Sequence, residues 1–162
     1  MNRWVSRLLV VLLLVAVTAS TADAQRRRRR AIATQSGPAY GAHVGYNFDV
    51  DDLLLGAQLS WPLTPDLALY PTFDYYFVNG GSLWALNFDL KYRPPTRYGA
   101  WYVGGGLNWS HSSSGGVSGS DTNLNLLTGL EGRRGRTRPY IEGKFILGNG
   151  SSFQLVGGVS WR

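Results

Sequence analysis

The sequence predicts an all-β protein: an eight-stranded antiparallel up-and-down β-barrel that crosses a membrane with its strands. Three observations lead there. Beyond Pro38 the apolar residues recur with period two, the strand period, and no stretch holds a helical period. In each alternating segment the large apolar and aromatic side chains share one face, and Gly, Ser, Asn and charged residues take the other. The connections also alternate in kind, one set Pro-marked and mostly basic, the other Gly/Ser-rich and neutral or acidic.

The first segment sets Tyr40, Ala42, Val44, Tyr46 and Phe48 against Gly41, His43, Gly45, Asn47 and Asp49. The second sets Leu53, Leu55, Ala57, Leu59 and Trp61 against Leu54, Gly56, Gln58 and Ser60. In the third, Leu67, Leu69, Pro71, Phe73, Tyr75 and Phe77 oppose Ala68, Tyr70, Thr72, Asp74 and Tyr76. In the fourth, Trp84, Leu86, Phe88, Leu90 and Tyr92 oppose Ala85, Asn87, Asp89, Lys91 and Arg93. The fifth runs from Trp101 to Trp109 on its apolar face, with Tyr102, Gly104, Gly106 and Asn108 behind it. The sixth has Leu124, Leu126, Thr128 and Leu130 against Asn123, Asn125, Leu127, Gly129 and Glu131. The seventh has Ile141, Gly143, Phe145 and Leu147 against Tyr140, Glu142, Lys144 and Ile146. The eighth has Phe153, Leu155, Gly157, Val159 and Trp161 against Gln154, Val156, Gly158 and Ser160.

Each segment is about 9–12 residues, the length with which a tilted strand crosses a bilayer. A soluble barrel would put its bulk inside. Here the small and polar face suits a narrow lumen and the apolar face suits hydrocarbon. Aromatic residues sit at the ends of the apolar face. With the chain ends on the periplasmic side, Tyr40, Trp61, Tyr92, Trp101 and Trp161 fall at one rim. Phe48, Phe77, Trp84, Trp109 and Phe153 fall at the other. Two such girdles are expected where rings settle at headgroup level.

Composition narrows the field further. The chain has 162 residues and no cysteine, which excludes a disulfide scaffold, a thiol nucleophile, a thiolate metal site and a lipoprotein anchor. Its net charge of +6 is a property of one end. Arg3, Arg7 and the run Arg26, Arg27, Arg28, Arg29 and Arg30 account for the excess, and residues 31–162 are balanced. No nucleic-acid partner is expected. Residues 1–24 read as a signal peptide: a basic start, ten apolar residues from Leu8, and Ala22-Asp23-Ala24 as a cleavage site. Residues 25–37 read as an Arg-rich periplasmic segment that meets anionic lipid headgroups, and 38–162 as the outer-membrane barrel.

On these residues, and on the apolar last segment from Phe153 to Trp161, the chain resembles the small eight-stranded outer-membrane β-barrels of the OmpA-type transmembrane domain and OmpX-like proteins. The resemblance covers 38–162. It implies residence in the outer membrane of a diderm, Gram-negative-type bacterium, outer-membrane lipid as the surroundings, and the barrel-assembly machinery as a partner during insertion. Members usually end on an aromatic residue, whereas here Trp161 is followed by Arg162.

An eight-stranded interior is filled by side chains. Asp74, Asp89, Glu131 and Glu142 fall on the lumen face with Lys91, Arg93, Arg133 and Lys144. Unpaired charges there would be costly, so a paired network that plugs the lumen is expected. Of the two histidines, His43 is read as a hydrogen-bonded lumen residue, with no metal site. The stretch from Trp109 through His111 to Ser113 is similar to a short motif of outer-membrane lipid A deacylases. That resemblance implies His111 as base and Ser113 as nucleophile; for the acid it requires, Glu131 points inward near the opposite rim and Asp121 is a weak substitute. The glycine groups at 104–106 and 157–158 lie in strands with no following helix, so no phosphate-binding loop and no cofactor are expected. The leading reading is therefore a non-enzymatic barrel that is structural or meets an extracellular ligand through loops at 49–52, 79–82 and 111–121. The alternatives are a lipid A deacylase-like outer-leaflet enzyme and a narrow small-solute channel.

Overall fold

The computed structural model describes residues 37–95, 101–132, 135–148 and 150–162. The leader, Arg26 to Arg30 and Arg133 lie outside the described residues. Eight strands follow in order: β1 Ala39–Asn47, β2 Asp52–Pro62, β3 Leu67–Tyr76, β4 Gly81–Tyr92, β5 Trp101–Ser114, β6 Val117–Glu131, β7 Thr137–Leu147 and β8 Ser152–Trp161. Each pairs antiparallel with the next, and β1 also pairs with β8, Tyr40 opposite Trp161 and Asn47 opposite Gln154. The sheet is thereby a closed barrel with strands in sequence order.

The predicted faces are the observed ones. On β1, Tyr40, Ala42 and Val44 are exposed and His43 and Asn47 buried. On β3, Ala68, Tyr70, Thr72, Asp74 and Tyr76 are buried, and Leu69, Phe73 and Tyr75 are exposed. Val44 and Leu53 are each 62% exposed and Phe88 is 55%, while Asp89 and Gln154 are fully buried. This is a soluble protein's pattern turned inside out. Water-soluble monomers rarely show contiguous apolar surface beyond a few hundred Å², so this outer belt calls for an apolar surrounding.

Pro71 lies mid-strand in β3. It keeps its place opposite Phe88 on β4, but the ladder to β2 is interrupted between Gln58↔Thr72 and Trp61↔Leu69. Proline has no N–H to donate on that side.

Two features differ from the sequence reading. Residues 111–121, expected as the longest flexible loop, are strand. β5 and β6 run to 14 and 15 residues and stay paired to Ser114↔Val117. The turn is Gly115-Gly116, with φ of 59° and 84°, the left-handed pair that a two-residue hairpin turn needs. The Ser/Gly composition that suggested a loop thus marks a polar hairpin closed by one tight turn. At the opposite end, the basic, Pro-marked stretch 132–139 reads from its composition as a connection, but Arg138 and Pro139 belong to β7, where Pro139 stands opposite Val159. Its carbonyl still accepts a bond from the Gly132 N–H, 2.8 Å away.

Candidate functional site

The chemistry of this chain is concentrated in the lumen, where period two delivers the polar half of every strand. Seven of the eight charged residues expected there are described and face inward: Asp74, Asp89, Lys91, Arg93, Glu131, Glu142 and Lys144. They form three clusters rather than one network.

The lowest cluster, nearest the chain ends, pairs Arg93 Nη2 with Glu131 Oε2 at 2.8 Å. The other carboxylate oxygen of Glu131 accepts from Ser160 Oγ at 3.1 Å. In the next layer Lys91, 2% exposed, approaches Glu142 Oε2 at 3.5 Å. Its Nζ stands 3.3 Å from the ring centroid of Tyr70 and 4.0 Å from that of Tyr102. Tyr102 Oη donates to the same Glu142 oxygen at 2.8 Å, and Tyr70 Oη donates to Gln58 Oε1. A desolvated ammonium is therefore held by one carboxylate and two ring faces.

Above this, Lys144 Nζ stands 3.7 Å from Asp89 and 3.9 Å from Asp74. Asp74 also meets His43 Nε2 at 2.7 Å and accepts from Asn87 Nδ2 at 2.9 Å. An amide ladder continues upward: Asn87 Oδ1 accepts from both Asn108 and Asn125 at 2.8 Å, and Asn125 also donates to Asp89 at 3.0 Å. Gln154 Nε2 donates to Tyr76 Oη. The layers are closely filled. Tyr70, Tyr102, Lys91, Gln154, Asn87, Asn108, Asn125, Asp74 and Asp89 are each under 2% exposed or at that value.

The sequence reading placed His43 in the lumen but missed its partner. The cross-strand row His43–Gly56–Asp74 explains the contact. A Cβ at Gly56 would collide with His43 Nε2 and stand 2.6 Å from Asp74 Oδ1. The glycine is the gap through which His43 reaches across a strand. The tyrosine cage was also missed, although alternation puts Tyr70, Tyr102 and Tyr140 on the same face as Lys91.

The girdle residues take the two rims. Tyr40 is opposite Trp161, and Trp61, Trp101 and Tyr92 end or begin strands at the same mouth. At the other rim Phe48 stacks on Phe153 at 5.6 Å, and Trp84 meets Trp109 edge-on at 5.1 Å. Phe77 packs against Tyr75 at 5.5 Å.

His111 lies on the outward face of β5 at this second rim, 5.4 Å from the Trp84 ring. Its Nδ1 is 2.8 Å from Ser120 Oγ. Ser113, two residues on, stands opposite Ser82 and Ser118 instead. Asp121 pairs with Ser110, and Glu131 closes the far mouth. The structure therefore brings no carboxylate to His111 among the described residues. Nor does any group of three His, Asp or Glu side chains suited to a metal occur among them.

No family model matches the chain, and no curated protein matches it by sequence. Solved structures do. The chain is similar to the N-terminal β-barrel domain of Pseudomonas aeruginosa OprF, with TM-score 0.64, 18% identity, and coverage of 76% of this chain and 95% of that one. It is similar to Neisserial surface protein A, with TM-score 0.62, 15% identity and coverage of 78% and 97%. A de novo designed transmembrane β-barrel gives TM-score 0.56 at 14% identity over 78% and 97%. The likeness is one of fold: the chain has the architecture of the small eight-stranded outer-membrane β-barrels.

Proposed function

We propose that this chain resides in the outer membrane of a diderm bacterium as a plugged, non-enzymatic barrel that serves a structural or surface-contact role. The observation that carries this reading is the filled lumen. Between the two mouths stand the Lys91 cage, the Lys144–Asp89–Asp74 cluster and the asparagine ladder, all buried. A solute would have to break several charge-assisted contacts in a dry interior to pass. The apolar belt supports lipid as the medium outside, and the polar β5–β6 hairpin is the part that extends past the belt toward solvent. At that rim Ser118, Gly119, Ser120, Asp121 and Thr122 are all exposed, and they are the contact surface in this reading.

Two measurements test it together. Protein from an outer-membrane fraction is run on a gel with and without boiling, and the purified barrel is placed in a planar bilayer. A heat-dependent mobility shift with no discrete conductance supports a plugged membrane barrel. Recovery in the soluble fraction without a shift overturns the membrane reading, and stepwise conductance overturns the plug.

A further inference from the structure

The two mouths of the barrel differ in charge more than the lumen explains. The mouth reached by residues 48–52, 77–83, 110–122 and 148–152 has Asp49, Asp51, Asp52 and Asp121 and no Lys or Arg. The mouth at the chain-end side gathers Arg93, Arg136, Arg138 and Arg162 among the described residues. Arg93, Arg138 and Arg162 occupy the inward register of β4, β7 and the end of β8. Glu131, the carboxylate on the lumen face at this end among the described residues, is already committed to Arg93 and Ser160. Asp66, in the β2–β3 turn, makes no ion pair with them among the described residues.

Among the described residues, two buried donors at this end have no partner. Arg138 Nε and Ser60 Oγ are shielded from solvent and unpaired among the described residues. Ser60 is 4% exposed. Ser60 faces inward near the end of β2, in the row that Ala39 continues toward Arg162. A buried donor without an acceptor is destabilising, so two at one mouth point to an acceptor group that the described side chains do not provide. Burial lowers the pKa of the Arg162 guanidinium, and the positive charges of Arg138 and Arg93 lower it further. The local field is thus positive and under-compensated.

We infer that the chain-end mouth of the lumen is an oxyanion site that takes a phosphate group, held by Arg138 and Arg162 with Ser60 as a neutral donor. A tetrahedral phosphate supplies several acceptor lone pairs, and guanidinium forks match it in shape and charge. The phosphate comes either from a phospholipid headgroup in the leaflet at that rim or from free anion. The lipid source rests on the membrane reading above; the anion site itself does not.

The test uses the full mature chain, refolded in a zwitterionic detergent. Inorganic phosphate is titrated in by calorimetry, and retention of phosphatidylglycerol against phosphatidylcholine is read by native mass spectrometry. Arg138→Gln removes the unpaired donor at the mouth. Asn79→Asp changes the net charge equally at the opposite rim and serves as the control. Circular dichroism of the β-sheet reports folding of each variant, independently of the heat-dependent gel shift. The expected result is about tenfold weaker binding in Arg138→Gln and unchanged binding in Asn79→Asp. Loss of both phosphate and phosphatidylglycerol binding supports a site open to either source. Loss of phosphatidylglycerol retention alone identifies the lipid, and loss of phosphate binding alone identifies the free anion. Absence of any binding by the wild-type chain, or equal loss in Asn79→Asp, overturns the site. Absence of the gel shift in wild type defeats the membrane reading while leaving the phosphate titration decisive for the mouth.

Discussion

The Nζ of Lys91, a residue only 2% exposed, stands 3.3 Å from the ring centroid of Tyr70 inside the barrel. Lys91 belongs to β4 and Tyr70 to β3, and its countercharge, Glu142, comes from β7 on the other side. The interaction therefore ties opposite walls of the barrel together. Lys91→Met should leave Glu142 buried with Tyr102 as its one donor among the described residues and destabilise the barrel by about 3–5 kcal/mol. The double variant Lys91→Met/Glu142→Gln should recover most of that loss, because neither charge is then stranded. Urea unfolding of the protein in lipid vesicles measures both. An unchanged midpoint in Lys91→Met would show that the pair contributes nothing to stability.

Neighbouring glycines on β8 should respond in opposite ways. A Cβ at Gly158 would lie 2.6 Å from the Ala42 carbonyl oxygen and 2.6 Å from Tyr140 Cζ. Backbone cannot move aside cheaply, so Gly158→Ala should cost about 1–3 kcal/mol as an overpacked site. At Gly157, facing outward, a Cβ meets nothing within 4 Å, and Gly157→Ala should change the unfolding midpoint little. If both variants unfold alike, the inward and outward faces of β8 are wrongly assigned.

Most of this architecture was legible in the sequence because a barrel wall is read one residue at a time. Tyr40 out and His43 in follow from parity alone, and so do the inward positions of Asp74, Asp89, Lys91 and Lys144. What parity does not convey is how far around the barrel a side chain reaches. His43 meets Asp74 across Gly56, and Lys91 meets Glu142 across the lumen, at separations set by register and tilt. The hairpin at 111–121 was misread for a different reason. Serine and glycine lower strand propensity, but pairing with β4 and a glycine turn of the right hand keep these residues extended.

That turn can be tested alone. Gly115 and Gly116 both have positive φ, where a β-branched residue is strained. Gly115→Val with Gly116→Val should open the tip of the β5–β6 hairpin and expose it to protease, while the vesicle unfolding midpoint stays within about 0.5 kcal/mol of wild type. Residues 117–123 pair only with β5, so the strain need not pass into β7. A large fall in the midpoint would mean that the hairpin is part of the barrel's stable core.

The outer belt is the claim on which the membrane reading turns, and one pair of substitutions addresses it. Val44 sits on the exposed face of β1 at mid-height, 62% exposed, and Tyr40 on the same face at the rim, 54% exposed. In a bilayer an arginine at mid-height costs about 2–4 kcal/mol and one near the interface about 0–1 kcal/mol. In water both sites are simply surface, where a substitution shifts stability by about 0.5 kcal/mol or less. Val44→Arg should therefore lower the unfolding midpoint in vesicles much more than Tyr40→Arg does. The contrast should vanish only if the face bearing Val44 meets water. Equal, small effects at the two sites would then place the apolar belt against something other than lipid, and the girdle aromatics Tyr40 and Trp161 would lose their reason for lying at one height.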